Sequence, residues 1–207
     1  MDKKTRIAVF VSGGGTNLQA IIDAEKSGII KSGKTELVIS DNPEAYALER
    51  AKANGIKTAV VLKNNGQAEF EKKISEILAE NKIEMIILAG FMCILSADFT
   101  SKWPERIINI HPSIIPSFCG KGCYGLHVHE KALAYGVKVT GATVHFVNEI
   151  PDGGRIISQK AVYIEDGDTP ETLQRRVMEQ AEWILLPAAA EKVAGEIAEK
   201  GESYGHL

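Results

Sequence analysis

In Asn109-Ile110-His111-Pro112-Ser113-Ile114-Ile115-Pro116, an amide and an imidazole stand two residues apart at the end of a β-like run over residues 106–110. Strand alternation puts both side chains on one face. An amide N–H can donate to a developing oxyanion, and an imidazole near its titration range can donate, accept or shuttle a proton, so the pair suits acyl-group chemistry. The two prolines fix the path on leaving. Asp152 follows in Glu149-Ile150-Pro151-Asp152-Gly153-Gly154, a turn-rich loop where a carboxylate can be held against that histidine. Each residue alone has a plainer reading. A strand-end histidine can satisfy a backbone group, and an aspartate before two glycines often caps its own loop.

A second feature is Ser12-Gly13-Gly14-Gly15-Thr16-Asn17, between an apolar run and a helical pattern. Glycines there let backbone N–H groups approach an anion at a helix N-terminus, and a phosphate is the natural occupant. The loop lacks the lysine of a nucleoside-triphosphate loop and does not follow dinucleotide-binding spacing. A tight strand-to-helix connection with no ligand stays open on this motif alone.

These groups need a scaffold. Short β-rich runs at 7–11, 36–39, 58–62, 85–88 and 107–110 alternate with segments whose apolar residues recur at helical spacing, such as Leu18, Ile21 and Ile22, or Phe70, Ile74, Ile77 and Leu78. Such alternation predicts an α/β fold, a Rossmann-like and mostly parallel sheet with helices on both faces. From Gly141 the pattern changes. Runs at 143–147 and 156–163, joined by the Asp152 loop, predict an antiparallel extension on the C-terminal side. Thr169-Pro170-Glu171 then predicts a helix start with a threonine N-cap and proline at the first helical position, the helix running through Leu186 until Pro187 interrupts it.

With 207 residues, 44% hydrophobic and 25% charged, the chain fits one domain over 1–207. A net charge of −3 gives no global reason to bind nucleic acid or an anionic membrane, so an anionic ligand must be captured locally. No stretch is long enough to span a bilayer. The start, Met1-Asp2-Lys3-Lys4-Thr5-Arg6, leads into a strand too brief for a signal-peptide core, and three cysteines at 93, 119 and 123 form no disulfide framework. Cytoplasmic residence is the expectation.

Together the Gly-rich loop, Leu88-Ala89-Gly90-Phe91-Met92-Cys93-Ile94-Leu95, the 109–116 motif and Thr140-Gly141-Ala142-Thr143-Val144-His145-Phe146-Val147, continuing through Gly154, closely resemble the phosphoribosylglycinamide formyltransferases, folate-dependent enzymes of purine synthesis. The resemblance runs nearly end to end. It implies the formyltransferase fold and transfer of a formyl group from 10-formyltetrahydrofolate, as co-substrate, to the amine of glycinamide ribonucleotide, with no metal. It implies Asn109, His111 and Asp152 as catalytic residues, with Asp152 favouring a cationic His111. Gly14, Gly15, Thr16 and Asn17 would grip the phosphate, and Glu182 would meet the ribose hydroxyls. Met92, Cys93, Ile94, Leu95, Asn109 and Val147 would contact the folate. Cys93 stands where some relatives carry arginine, and Gln67 falls near a position where relatives hold a basic side chain for the folate tail. For Ile94 and Leu95 a core-facing turn is the plainer reading, and for Glu182 a solvated helix face.

Cys119, Cys123, His127 and His129 gather zinc-type ligands in one stretch, but their spacing matches no known finger or ribbon, and an inserted turn is the competing reading. His127 is a candidate for approaching the site, His129 for starting the next helix, and His145, inside a strand, for a structural role. Related formyltransferases with added domains need more chain than 207 residues. A sugar-nucleotide formyltransferase shares the catalytic trio, and a non-catalytic phosphosugar binder shares the scaffold. Loss of turnover with retained ligand affinity on replacing Asn109 or His111 would separate enzyme from binder.

Overall fold

The structure is a computed structural model describing residues 3–201. Seven strands form one sheet: β1 (Thr5–Val11), β2 (Gly33–Ser40), β3 (Lys57–Val60), β4 (Met85–Leu88), β5 (Ile107–His111), β6 (Val139–Phe146) and β7 (Ile156–Tyr163). Their spatial order is β3-β2-β1-β4-β5-β6-β7. The first five pair in parallel, while β5–β6 and β6–β7 are antiparallel. The predicted class therefore holds, with β6 starting earlier than the 143–147 run and leaving Val147 just beyond its end.

The central strands read as near-continuous apolar runs because both faces are covered. Ile7, Val9 and Val11 of β1 face one core with α1 (Thr16–Ser27) and α2 (Tyr46–Ala53), while Ala8 and Phe10 face the other with α3 (Gln67–Glu80) and α4 (Ala97–Ser101). A further helix, α5 (Leu126–Tyr135), packs on α6 (Pro170–Val177). Thr169 caps α6 as expected: its hydroxyl accepts from Thr172 N–H, Thr172 reciprocates, and Pro170 takes a first-turn place where no N–H is needed.

Pro187 does not interrupt the last helix. A π turn, Met178–Glu182, follows α6, and α7 (Trp183–Gly201) then runs on with Pro187 inside it. Trp183 N–H reaches back five residues to Met178 O, so the backbone widens about one turn before the proline, and helical hydrogen bonding restarts at Trp183. Among the described residues no helix is long and apolar enough to cross a membrane.

This topology fixes where chemistry can sit. From β1 the chain winds outward one way to β2 and β3, and through β4 and β5 the other way, so a crevice opens at the carboxyl ends of β1 and β4. The Gly-rich loop leaves β1, the 90–96 segment leaves β4, and His111 ends β5.

Candidate active site

On β5 the hydrophobic side chains of Ile108 and Ile110 enter one core, which turns Asn109 and His111 to the opposite face, as alternation predicts. Across the antiparallel pair, Asn109 lies opposite His145 and His111 opposite Thr143. Asn109 Nδ2 is 3.2 Å from His145 Nε2, and His145 Nδ1 is 2.8 Å from Phe146 O. A carbonyl only accepts, so Nδ1 carries the hydrogen. In the neutral ring Nε2 then accepts from the Asn109 amide. One hydrogen of that amide remains for another acceptor.

The Asp152 loop closes over the same face. Asp152 adopts φ 57°, a left-handed conformation that aspartate tolerates better than most residues. Gly154 has to be glycine, since a Cβ there would lie 1.7 Å from Phe146 O. The carboxylate meets three groups: Oδ2 accepts from Gly120 N–H at 2.8 Å and lies 3.7 Å from His111 Nδ1, and Oδ1 lies 3.5 Å from His145 Nε2. Burial pushes this carboxyl up, but His145 and the His111 ring, when they carry a proton toward it, and the Gly120 N–H hold it below the usual range. Asp152 is therefore an anion at neutral pH.

His111 is buried, and Nε2 lies 2.9 Å from Phe118 O, which makes Nε2 the donor and leaves Nδ1 facing Asp152. Burial is the largest influence and pushes the imidazole down. Asp152 and Phe118 push it up without prevailing, and His145 adds to the lowering. Asp152 favours the cation, as the sequence suggests, but desolvation outweighs it and holds the imidazole below its ordinary value, with Nδ1 aimed at the carboxylate.

The sequence reading therefore missed His145, which the structure joins to Asn109 and Asp152. A signal was present, since His145 shares a strand face with Thr143, but the β5–β6 register was needed to see it. His129 is a second correction. It neither starts nor caps α5 but lies fully buried as its fourth residue, with no partner on either ring nitrogen among the described residues; burial, with His111 nearby, pushes it down to about 4. His127 is exposed, held by Glu130 at 2.8 Å and edge-on to Tyr124. Cys119 donates to Pro116 O, and Cys123 contacts Lys131. Among the described residues no three His, Cys, Asp or Glu side chains converge on a metal position.

At the β1 end, Gly15 is the N-cap of α1 with φ 73°, and no side chain caps the helix. A Cβ on Gly15 would lie 2.6 Å from Ala47 Cβ, whereas Gly13 and Gly14 border open space. The loop is braced from outside: Ala47 N–H donates to Gly13 O at 3.0 Å and Arg50 Nε to Gly14 O at 2.8 Å. Its uncapped N–H groups lie at a helix dipole's positive end and can receive an anion. Thr16 Oγ1 turns to Met178 Sδ. The Asn17 side chain is not directed to a phosphate; its Nδ2 donates to Glu182 Oε2 at 2.7 Å.

Glu182 is not on a solvated face. It is 6% exposed, lies in the π turn, and burial pushes its carboxyl up to about 7 against the Asn17 hydrogen bond. Asn17 Oδ1 is also buried without a partner among the described residues. Two polar groups lacking full satisfaction beside the Gly-rich loop fit a polar ligand such as a diol.

The third wall is the segment after β4. Ser12 N–H donates to Gly90 O, and Met92 N–H donates to Ser12 Oγ at 2.8 Å, tying this segment to the Gly-rich loop. Cys93 donates its thiol to Asp41 at 3.1 Å, and burial is the main cause of a thiol pushed up to about 11. Ile94 is 62% exposed, so the core-facing reading fails for it, whereas Leu95 is buried among Phe10, Phe70 and Phe99. Val147 packs at the border of that core, its N–H bonded to Ile107 O. Gln67 is occupied: both hydrogens of Nε2 are spent, on Glu71 and on Ile94 O.

Residues 5–189 match the family model for formyl transferase. The chain is 42% identical over 184 residues to phosphoribosylglycinamide formyltransferase of Haemophilus influenzae, covering 88% of this chain and 84% of that protein. It is 43% identical over 203 residues to the human trifunctional purine biosynthetic protein adenosine-3, covering 97% of this chain but 19% of that protein, so it spans about a fifth of that relative. Among solved structures, glycinamide ribonucleotide transformylase 1 from Symbiobacterium toebii superposes with a TM-score of 0.86 at 39% identity, covering 93% of this chain and 89% of that one.

Proposed function

Because the chain belongs to the formyl transferase family, we propose that it transfers the formyl group of 10-formyltetrahydrofolate to the primary amine of glycinamide ribonucleotide, through one domain that carries both substrate sites. The observation that carries this reading is the meeting of Asn109, His111 and Asp152 at the carboxyl edge of the sheet, between a helix-terminal anion cradle and the 92–95 segment. The relatives named for this reaction support the choice of acceptor.

The amine attacks the formyl carbon, forming a C–N bond and a tetrahedral oxyanion. Collapse then breaks the bond to the folate nitrogen. No covalent enzyme intermediate is needed, because an α-amino-type nucleophile is substantially neutral near pH 8. The Asn109 amide donates its remaining hydrogen to the oxyanion while His145 fixes the amide's orientation. The amine must lose a proton and the folate nitrogen must gain one. Neutral His111 takes the proton at Nδ1, where the new imidazolium faces Asp152 and keeps its Phe118 bond; a bound water can relay the proton to the leaving nitrogen.

The amine substrate's phosphate takes the N–H groups of Gly14, Gly15, Thr16 and Asn17, and its ribose hydroxyls meet Glu182 and Asn17 Oδ1. The folate lies against Met92, Cys93, Ile94 and Leu95 on one side and Val147 on the other, read through the backbone at Cys93 because its thiol is turned to Asp41.

Absorbance change on deformylation of 10-formyltetrahydrofolate, with and without glycinamide ribonucleotide, tests the proposal. Amine-dependent turnover is expected. Folate cleavage without the amine would make the protein a hydrolase instead, and absence of both reactions would refute formyl transfer between these substrates.

A further inference from the structure

Glu71 is a carboxylate held almost out of solvent on the core side of α3. Phe70, Ile74 and Leu78 form the buried stripe of that helix, and Glu71, beside Phe70, is only 7% exposed. An acidic side chain so placed must be compensated by hydrogen bonds. Its donors come from the helix itself and from the segment after β4: Gln67 Nε2, Ser96 N–H at 2.6 Å and Ser96 Oγ at 2.5 Å. Ser96 Oγ also accepts from Phe99 N–H and so caps α4. Gln67 continues the chain of contacts by donating to Ile94 O at 3.0 Å.

We propose that Glu71, with Gln67 one turn before it, is a positioning residue that latches Ile94 and Ser96 from behind and thereby sets the backbone edge presented to the folate; this rests on the folate reading above. The segment has no ladder of its own between β4 and α4. Its front is tied at Met92 to Ser12 and at Cys93 to Asp41, and Leu95 plugs the core. Among the described residues, Ile94 and Ser96 are tied only through α3 and the α4 cap. Beside Ser96 a half-open surface groove of about 500 Å³ is lined by Gln67, Glu71, Lys72, Ser96, Asp98 and Lys102, which leaves room for the segment to shift when the latch is lost. A backbone edge displaced by about an ångström loses much of its value in orienting a substrate.

The latch bears on one substrate. Among the described residues Glu71 and Gln67 make no hydrogen bond to the Gly-rich loop, Asn17 or Glu182, so a change at α3 weakens the folate and leaves the phosphate-bearing amine as it was.

Steady-state kinetics of the full chain with both substrates, for wild type, Glu71→Gln, Glu71→Ala and Gln67→Ala, paired with thermal melting and titration of tetrahydrofolate, test the proposal. Glu71→Gln keeps an acceptor for Ser96 N–H and is expected to raise KM for 10-formyltetrahydrofolate about threefold, Glu71→Ala ~10-fold or more, with KM for glycinamide ribonucleotide within about twofold. Gln67→Ala, at a half-buried position, gives the same one-sided shift in a folded protein should Glu71→Ala melt below assay temperature. A lowered melting temperature with both KM values unchanged would reduce Glu71 to a structural residue and overturn the latch, as would equal weakening of both substrates. Wild-type protein that fails to bind tetrahydrofolate would instead overturn the folate reading, and the latch with it.

Discussion

Asn109 and His145 face each other directly across the β5–β6 pair, with the amide nitrogen 3.2 Å from the imidazole Nε2. The register that creates this pair is followed by an irregularity in β6–β7, where His145 pairs with Ile156 and Val144 with Ser158, leaving Ile157 unpaired. Such bulges turn side chains near a sheet edge. In the proposed mechanism His145 acts through Asn109, whose amide it holds. Replacing Asn109 by Ala is expected to lower kcat by ~10²–10³-fold, the usual loss of one oxyanion donor, and His145→Ala by about 10-fold. The double variant should lose much less than the product of the two, since a misoriented amide and a missing one fail at the same step. Independent multiplication of the two losses would show that His145 does not work by holding Asn109.

Asp152→Asn separates charge from shape. The amide can still accept from Gly120 N–H, so the fold should persist, while the counter-charge for His111 disappears. Because Asp152 is one of the influences that raise the His111 pKa against burial, its removal drives that pKa still lower. A group acting as a base works above its pKa, so the acid limb of kcat/KM is expected to move to lower pH while the plateau falls ~10²–10⁴-fold. A pH–rate profile whose acid limb stays in place would remove this carboxylate as the partner of the catalytic imidazole.

The fold was legible where local period and burial agree. Residues 7–11 and 85–88 are apolar at every position because helices cover both faces, and Asn109 and His111 interrupt such a run on one face only. Contacts between strands are another matter. No spacing in the chain states that His145 pairs with Asn109, and the same ignorance hid the burial of His129. Gln67 shows a similar limit: the sequence places it only near a basic position of relatives, and the fold commits both its amide hydrogens to Glu71 and Ile94. Pro187 misled for a local reason. The proline rule assumes an uninterrupted α-helix, and a π turn one residue wider per turn precedes it.

Gly15→Ala tests the anion cradle. The residue has φ 73°, and an added Cβ would meet Ala47 Cβ at 2.6 Å and Ala47 Cα at 2.8 Å, so the penalty combines backbone strain with overpacking against α2. A loss of about 2–4 kcal/mol in unfolding free energy is expected. KM for glycinamide ribonucleotide should rise while that for 10-formyltetrahydrofolate stays near its original value. Gly13→Ala, at a position bordering open space, should cost far less stability, which makes chemical denaturation of the two variants side by side the deciding comparison.

Glu182 gives the most direct pH signature. Its carboxyl is buried and pushed up to about 7 in the folded protein, with the Asn17 hydrogen bond opposing the shift, against an ordinary value of 4.5. Between those two values the native state holds a proton that the unfolded chain has released. Stability therefore falls as pH rises from about 4.5 to about 7 and levels off above that, the reverse of the trend for a salt-bridged carboxylate. Glu182→Gln keeps an oxygen for the Asn17 amide and has no proton to lose. It is expected to flatten this part of the profile and to raise the unfolding free energy above pH 7, by on the order of 3 kcal/mol. The same change should weaken glycinamide ribonucleotide, because a carboxylate accepts from two hydroxyls where an amide offers one oxygen. Denaturant unfolding from pH 5 to 8 with and without the substitution checks the first effect, and titration of the amine substrate checks the second. A variant that binds the substrate as well as wild type would leave the buried carboxyl as a feature of the π turn alone.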